Sequence, residues 1–194
     1  MEIVIEEVNQ GNVGHVGKCD GEFVIDSRLI LHVENNEIRY TIAGVPRSKK
    51  QYGEDDIDYT TYIDDPEKTI FLAYTDGQIA GQIILRKSWN NYAHIEDIAV
   101  DVRFRRIGIG RALILRAKKW AQDRGLPGIM LETQDNNVGA CKFYEGCGFR
   151  LSGFDTYLYK GLNRSTDEIA LYWYLVFDPG SASQLTGGNA ASLR

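Results

Sequence analysis

"IEDIAVDVRFRRIGIGRALI", residues 95–114, passes from an apolar run into a basic turn punctuated by glycines, then straight into a helical pattern. The run up to Val100 has strand character. Beyond the turn, Ile109, Leu113, Ala117 and Trp120 recur at helical spacing, while Arg116, Lys118, Lys119 and Gln122 lean toward water. Gly125 and Pro127 then stop the helix in the expected order. The first turn of a helix leaves backbone N–H groups without partners at the positive end of its dipole. Glycines let that backbone come close to a ligand, and the guanidinium groups of Arg105, Arg106 and Arg111 can pair with phosphate oxygens. The junction therefore suits a phosphate or pyrophosphate. A plain tight turn into the helix, with solvated arginines, is the alternative on these letters alone.

Working outward, strands are expected at "EIVIEEV" (2–8), and at "FVIDSRLILHV" (23–33) and "EIRYTIAGV" (37–45) on either side of the turn-like Asn35-Asn36. "TIFLAYTDGQIAGQIILRKSW" (69–89) is a hairpin whose two β-rich runs meet at Asp76-Gly77, a strong type I′ signal. The acidic stretch "GEDDIDYTTYIDD" (53–65) reads as a short helix or loop, and "WNNYA" (89–93) as a turn into the strand "HIEDIAVD". "GIMLET" (128–133) is a buried strand, and Asn136-Asn137 offers an N-cap for the short helix "VGACKFYEGC", which Gly148 ends. "DTYLYK" (155–160) and "EIALYWYLVF" (168–177) are two late strand candidates that complete the sheet. The order predicts a mixed α/β sheet whose central strands are joined by helical crossovers.

The chain has 194 residues, enough for one domain with a real core; residues 1–178 form it, and the small, polar stretch 179–194 is expected to be disordered. A formal net charge of -5 disfavours nucleic acid as a partner and favours a cationic one. No apolar run is long enough for a membrane helix, and the N-terminus lacks a signal peptide's basic start. Cys19, Cys141 and Cys147 form no metal-ligand spacing, and an odd cysteine count without a secretion signal points to reduced thiols in a cytoplasm. The oligomeric state stays open, a homodimer being one option.

Two common nucleotide motifs fit the glycine turn poorly. A P-loop needs a Gly-Lys-Ser/Thr ending that is absent, and a dinucleotide fingerprint needs a third glycine where Leu113 stands. The pattern that fits is R-x-x-G-x-G, Arg105 to Gly110, preceded by "IAVD" and followed by "NNVGACKFYEGCGF" (136–149). This resembles the acyl-CoA loop and second signature of the GNAT superfamily of N-acetyltransferases. "FLAYTDGQIAGQI", "WNNYAHIEDIAV", "LETQDNNVGACKFYEGCGF" and "GFDTYLYKG" further resemble streptothricin acetyltransferases, over residues 23–177 or so.

The resemblance implies the GNAT fold, with acetyl-CoA held where two parallel strands splay apart and the β-lysine amine of streptothricin as acceptor. Backbone groups of Ile98, Ala99 and Val100 would pair with the pantetheine arm, and Arg106, Ile107, Gly108, Ile109, Gly110 and Arg111 would cradle the pyrophosphate. Asn137 matches an asparagine that contacts the pantetheine, although an N-cap explains it equally well. Tyr144 matches the tyrosine that protonates the leaving thiolate, and a phenol of ordinary pKa (~10) is a neutral donor at pH 7. A core aromatic is the bland reading of the same residue.

An alkyl amine near pKa ~10.4 is neutral in only about one molecule in 2,500 at pH 7, so a base is worth having. Glu132 and Glu96 lie on the strands expected to splay, and either is a candidate base or a structural carboxylate. Cys141 has no visible histidine partner among His15, His32 and His94, and it and Cys147 read as small core residues rather than nucleophiles. For a cationic acceptor, Glu54, Asp55, Asp56, Asp58 and Asp155 are candidate anions, with Trp89 and Tyr157 as aromatic walls. Two other functions fit the same residues: acetylation of protein lysines or N-termini, and an acyl-CoA sensor without turnover.

Overall fold

The computed structural model describes residues 2–51 and 57–178, so the acidic residues Glu54 to Asp56 and the polar stretch 179–194 lie outside it. The chain runs through β1 (Ile3–Glu7), β2 (Phe23–Glu34), β3 (Glu37–Lys50), β4 (Lys68–Thr75), β5 (Gln78–Lys87) and β6 (Ala93–Val100). It continues with α1 (Ile109–Asp123), β7 (Gly128–Gln134), α2 (Val138–Gly146), β8 (Arg150–Asp155) and β9 (Ala170–Val176). Seven strands form one sheet in the order β1-β4-β5-β6-β7-β9-β8, and β2 pairs with β3 apart from it. Among the described pairs only β6 and β7 run parallel; α1 is the crossover that parallel strands require.

Both hairpins close as their turn residues dictate. Asn35 and Asn36 have φ of 52° and 62°, and Asp76 and Gly77 have 49° and 74°, the paired left-handed residues of a type I′ turn. The α1 stripe of Ile109, Leu113, Ala117 and Trp120 is buried, with Ile114 and Ala121 beside it. This stripe packs on a sheet face made of Phe71, Ala73, Ile83, Leu85, Ile95, Ile129 and Leu131. Each fully buried leucine, isoleucine or phenylalanine among them stabilises the fold by about 1.5–3 kcal/mol. The contact is close because Gly81 has no side chain: a Cβ there would lie 2.8 Å from Cγ2 of Ile109 and 3.0 Å from the Ala99 carbonyl oxygen. The opposite face carries Ile70, Leu72 and Ile84, covered by Val8, Val16 and Tyr62.

One sequence expectation needs correction. "DTYLYK" is not a strand: β8 ends at Asp155, whose carboxylate accepts from the backbone N–H of Tyr157 (2.6 Å) and Leu158 (3.1 Å), and a 3-10 turn spans Leu158–Gly161. The alternating tyrosines mimic a strand, but the aspartate's local bonds win. The acidic stretch yields a 3-10 turn at Tyr59–Tyr62 in its described part, capped by Asp58. No helix among the described residues is long and apolar enough to cross a membrane.

Candidate functional site

The parallel strands β6 and β7 are joined by three rungs, Ala93 to Ile129, His94 to Met130 and Ile95 to Leu131. Both strands continue beyond Ile95 and Leu131 without pairing to each other. Over those further residues β6 is paired only with β5, through Val100 and Gly81, and β7 only with β9, through Gln134 and Ala170. The facing edges therefore hold an open slot. Its cause lies in one residue. Leu85 pairs with Ile95 but Ile84 with Asp97, so Glu96 is an extra residue in β6, a bulge. Bulges twist and bend the strand that carries them. Backbone amides along an open edge fit a ligand that binds as an added strand, and Ile98, Ala99 and Val100 lie on that edge.

Past Val100 the chain turns into α1. Asp101 is 2% exposed and accepts from Arg103 Nε (2.8 Å), Arg103 Nη2 (3.0 Å) and the backbone N–H groups of Arg103 (3.0 Å) and Asp20 (3.2 Å). The Arg103 hydrogen bonds hold its carboxyl down at about 2. This carboxylate fixes the start of the loop. The loop's end is set by backbone: Arg106 has φ 69° and Gly108, the N-cap of α1, φ 100°. Among the described residues no side chain caps α1, in contrast to α2, where the Asn137 side chain accepts from the Ala140 N–H at 3.2 Å. The first-turn amides of α1 are thus left for a ligand, as an anion site requires.

The three loop arginines separate. Arg105 Nε donates to the Val100 carbonyl (3.1 Å) and Arg111 Nη2 to the Gly146 carbonyl (3.2 Å), while exposed Arg106 has no hydrogen-bond or ion-pair partner among the described residues. Ile107 is exposed, and Ile109 is buried beneath the loop. At Gly110 a Cβ would come within 3.0 Å of the Phe143 ring, so this glycine lets α2 sit against the start of α1. The slot, the uncapped helix end and the free cation together fit a diphosphate carried on an amide-bearing arm.

Tyr144 is 7% exposed on α2, its ring packed against Phe143 (5.5 Å between centroids), Phe149 (5.9 Å) and Trp173 (6.4 Å). It joins the core cluster that includes Leu131. Cys141, one turn earlier, is fully buried, and burial pushes its thiol up to about 12. Burial likewise raises Cys147. Neither is poised as a thiolate.

The two glutamates stand one residue past the last β6–β7 rung, in different settings. Glu96 accepts from Tyr62 Oη at 2.8 Å and from Arg86 Nε at 2.6 Å, so both its oxygens are engaged. Glu132 is half-buried and points to the face opposite Leu131 and Tyr144. The Tyr159 hydroxyl donates to one of its oxygens. Burial raises its pKa above the carboxylate norm, against the Tyr159 hydrogen bond and the Lys50 charge, which lower it, while Glu168 raises it. Lys50 pairs with Glu168 at 2.5 Å, and Asn136 Nδ2 donates to the same Glu168 oxygen at 2.9 Å.

The expected acceptor residues are less well gathered. Trp89 is 93% exposed in the turn before β6, at the end of that strand remote from the slot. Tyr157 is 74% exposed with Lys160 Nζ 4.8 Å from its ring centre, and Asp155 shapes the adjoining turn. Asp58 is engaged by Thr60. Residues that sequence reasoning passed over are Asp101, Tyr159, Lys50 and Glu168; only Asp101, as the last letter of "IAVD", carried a local signal.

The pattern matched by the acetyltransferase (GNAT) family spans residues 33–149. Streptothricin acetyltransferase A of Bacillus subtilis (strain 168) is 38% identical over 175 residues, covering 90% of this chain and all of that one. The streptothricin acetyltransferase of Escherichia coli is 36% identical over 156 residues, 80% of this chain and 86% of that one. A Bacillus anthracis chain assigned as a streptothricin acetyltransferase, solved in complex with acetyl coenzyme A, superposes with a TM-score of 0.85 at 47% identity over 92% of this chain and 99% of that one. With the splayed parallel pair and uncapped glycine loop in place, this chain belongs to the GNAT acetyltransferase family and is an acetyl-CoA-dependent enzyme.

Proposed function

We propose that the chain transfers the acetyl group of acetyl-CoA to an amine of streptothricin, the β-lysine amino group, and so inactivates the antibiotic. The observation that carries the catalytic reading is the slot that opens at Glu132, with Tyr144 packed on one face of the sheet and the Glu132 carboxylate on the other. The full-length likeness to streptothricin acetyltransferases supports the choice of acceptor.

Acetyl-CoA supplies an acetyl group activated as a thioester. Ile98, Ala99 and Val100 hold its pantetheine arm by backbone pairing, and Asn137 adds a polar contact while it caps α2. The amides from Ile107 to Arg111, with the Arg106 guanidinium, hold the pyrophosphate. Glu132 takes the proton that the amine loses as its nitrogen forms the new C–N bond. Tyr144 delivers a proton to the sulfur as the C–S bond breaks. No covalent enzyme intermediate is needed. Freeing an alkyl amine of its proton at pH 7 costs about 4–5 kcal/mol, which sets the scale of the base's task. Glu132 suits it better than Glu96, because a raised carboxylate with one oxygen unengaged among the described residues is the stronger base. Glu96 keeps a structural role with Arg86 and Tyr62.

A thiol-release assay with acetyl-CoA tests the reading. Streptothricin is expected to exceed a lysine peptide by at least about 100-fold in kcat/KM, a ratio suited to a site built around one acceptor. Comparable rates would make this a peptide-amine acetyltransferase. Release with neither, together with tight acetyl-CoA binding, would make it a sensor.

A further inference from the structure

Glu132 is held from outside its own strand, by a turn that sequence patterning takes for a strand. Asp155 ends β8 by accepting from the Tyr157 and Leu158 amides, and the resulting 3-10 turn Leu158–Gly161 carries Tyr159 to Glu132. On the other sides stand the Lys50–Glu168 ion pair, tied to Asn136, and Tyr172, the β9 residue paired in register with Glu132. The hydroxyl engages one carboxylate oxygen, and no partner of the other is found among the described residues.

We propose that Tyr159 is a positioning residue for acetyl transfer: its hydroxyl fixes the Glu132 carboxylate at the opening of the slot and leaves the second oxygen available for the amine proton. The inference rests on the reading of Glu132 as the base. A carboxylate on a flexible stem, half out of water, would otherwise sample several rotamers and bind protons too readily for work near neutral pH. One donated hydrogen bond restricts the rotamer and favours the charged form. Lys50 acts in the same sense through its charge, Glu168 in the opposite sense, and Tyr172 contributes no charge at neutral pH.

The test is the pH dependence of kcat/KM with acetyl-CoA and streptothricin for wild type, Tyr159→Phe, Glu132→Gln and the double variant. The amine's own titration near pH ~10 is common to all four. Loss of the hydroxyl is expected to move the acid limb of the profile upward by about one pH unit. That shift is a roughly tenfold loss below the limb, with the plateau kept within about twofold. In the Glu132→Gln background, Tyr159→Phe is expected to add nothing, since the group it positions is gone. A general folding defect would lower every point alike without moving the limb, so the readout separates it from positioning. An unmoved limb in Tyr159→Phe, or an undiminished effect in the double variant, would overturn the role of Tyr159 and leave the base in place. If Glu132→Gln itself left the profile unchanged, the base assignment would fall, and this inference with it.

Discussion

Glu96 and Glu132 each stand one residue past the last rung between β6 and β7, yet their carboxylates are held by different partners. Arg86 and Tyr62 occupy both oxygens of Glu96, whereas Glu132 has one hydroxyl donor among the described residues and a pKa raised by burial. Replacing each by glutamine should separate their roles. Glu132→Gln is expected to lower kcat by about 10²- to 10⁴-fold near neutral pH and to recover as rising pH frees the amine unaided. Glu96→Gln should reduce the rate by a modest, pH-independent factor, because an ion pair with a half-exposed arginine contributes only about 0–1 kcal/mol. The pH–rate profiles of the two variants decide between them.

Arg106 is exposed and has no partner among the described residues, so reversing its charge breaks no contact seen there. Arg106→Glu is expected to raise the acetyl-CoA Kd by about 10- to 100-fold, the effect of replacing an attraction to phosphate with a repulsion. The melting temperature should stay within about 2 °C, consistent with a surface substitution. Calorimetric titration with acetyl-CoA and a thermal melt on the same sample check both halves. Gly108→Val would be a poorer probe. A Cβ there meets open space, but φ of 100° strains any side-chain-bearing residue by about 1–3 kcal/mol, so binding and stability fall together.

Tyr144→Phe removes one hydroxyl and keeps the ring against Phe143, Phe149 and Trp173. A loss of kcat of about 10²- to 10⁴-fold, with acetyl-CoA binding nearly unchanged, is the expected result for a general acid. Wild-type turnover in this variant would return Tyr144 to the status of a core aromatic.

Much of this was readable in the letters. The α1 stripe, the Asp76-Gly77 type I′ turn, the turn at Asn35-Asn36, the Asn137 cap and the R-x-x-G-x-G loop are local patterns, and local physics decides them. The setting of Glu132 was not readable, because Tyr159, Glu168 and Lys50 come to it from three other segments, Tyr159 alone lying 27 residues away. The same holds for β2 and β3. Their strand character is plain, but their placement beside the main sheet involves distant anchors: Arg28 to Asp135 at 2.7 Å and Tyr40 Oη to Glu145 at 2.9 Å. The arginine cluster misleads in the opposite sense. Arg105, Arg106 and Arg111 look equivalent in the sequence, yet Arg105 and Arg111 bond backbone carbonyls.

Cys141 should be chemically silent. With its thiol fully buried and raised to about 12, it is expected to resist iodoacetamide at pH 7.5 in the native state and to react only after unfolding. Cys141→Ala should keep kcat within about twofold and cost about 1 kcal/mol of stability for the lost sulfur. Peptide mass spectrometry of the labelled protein checks the first statement. A covalent acetyl group on Cys141 would overturn the direct-transfer mechanism.

Asp101 offers a stability test tied to acid. Its carboxyl is depressed to about 2 by Arg103, so its contribution is complete above the ordinary carboxylate range and disappears as pH falls through about 2. Asp101→Asn is expected to lower the melting temperature by about 3–8 °C at pH 7, a range set by the loss of buried charge-assisted hydrogen bonds. The difference from wild type should shrink steadily below pH 4. A gap that stayed constant down to pH 2 would contradict it.

The bulge at Glu96 separates two meanings of a single position. Its side chain braces Arg86 and Tyr62, and an amide could stand in for the acid there. Its backbone is a surplus unit of length in β6, and no substitution at 96 can take that away. The doorway between β6 and β7 is therefore written as a count of residues rather than as a chemical identity. Point mutation at 96 can probe the chemistry beside the slot while the slot stays open; a change in chain length, a one-residue deletion, would bring β6 back into step with β5 and remove the bend that opens the slot.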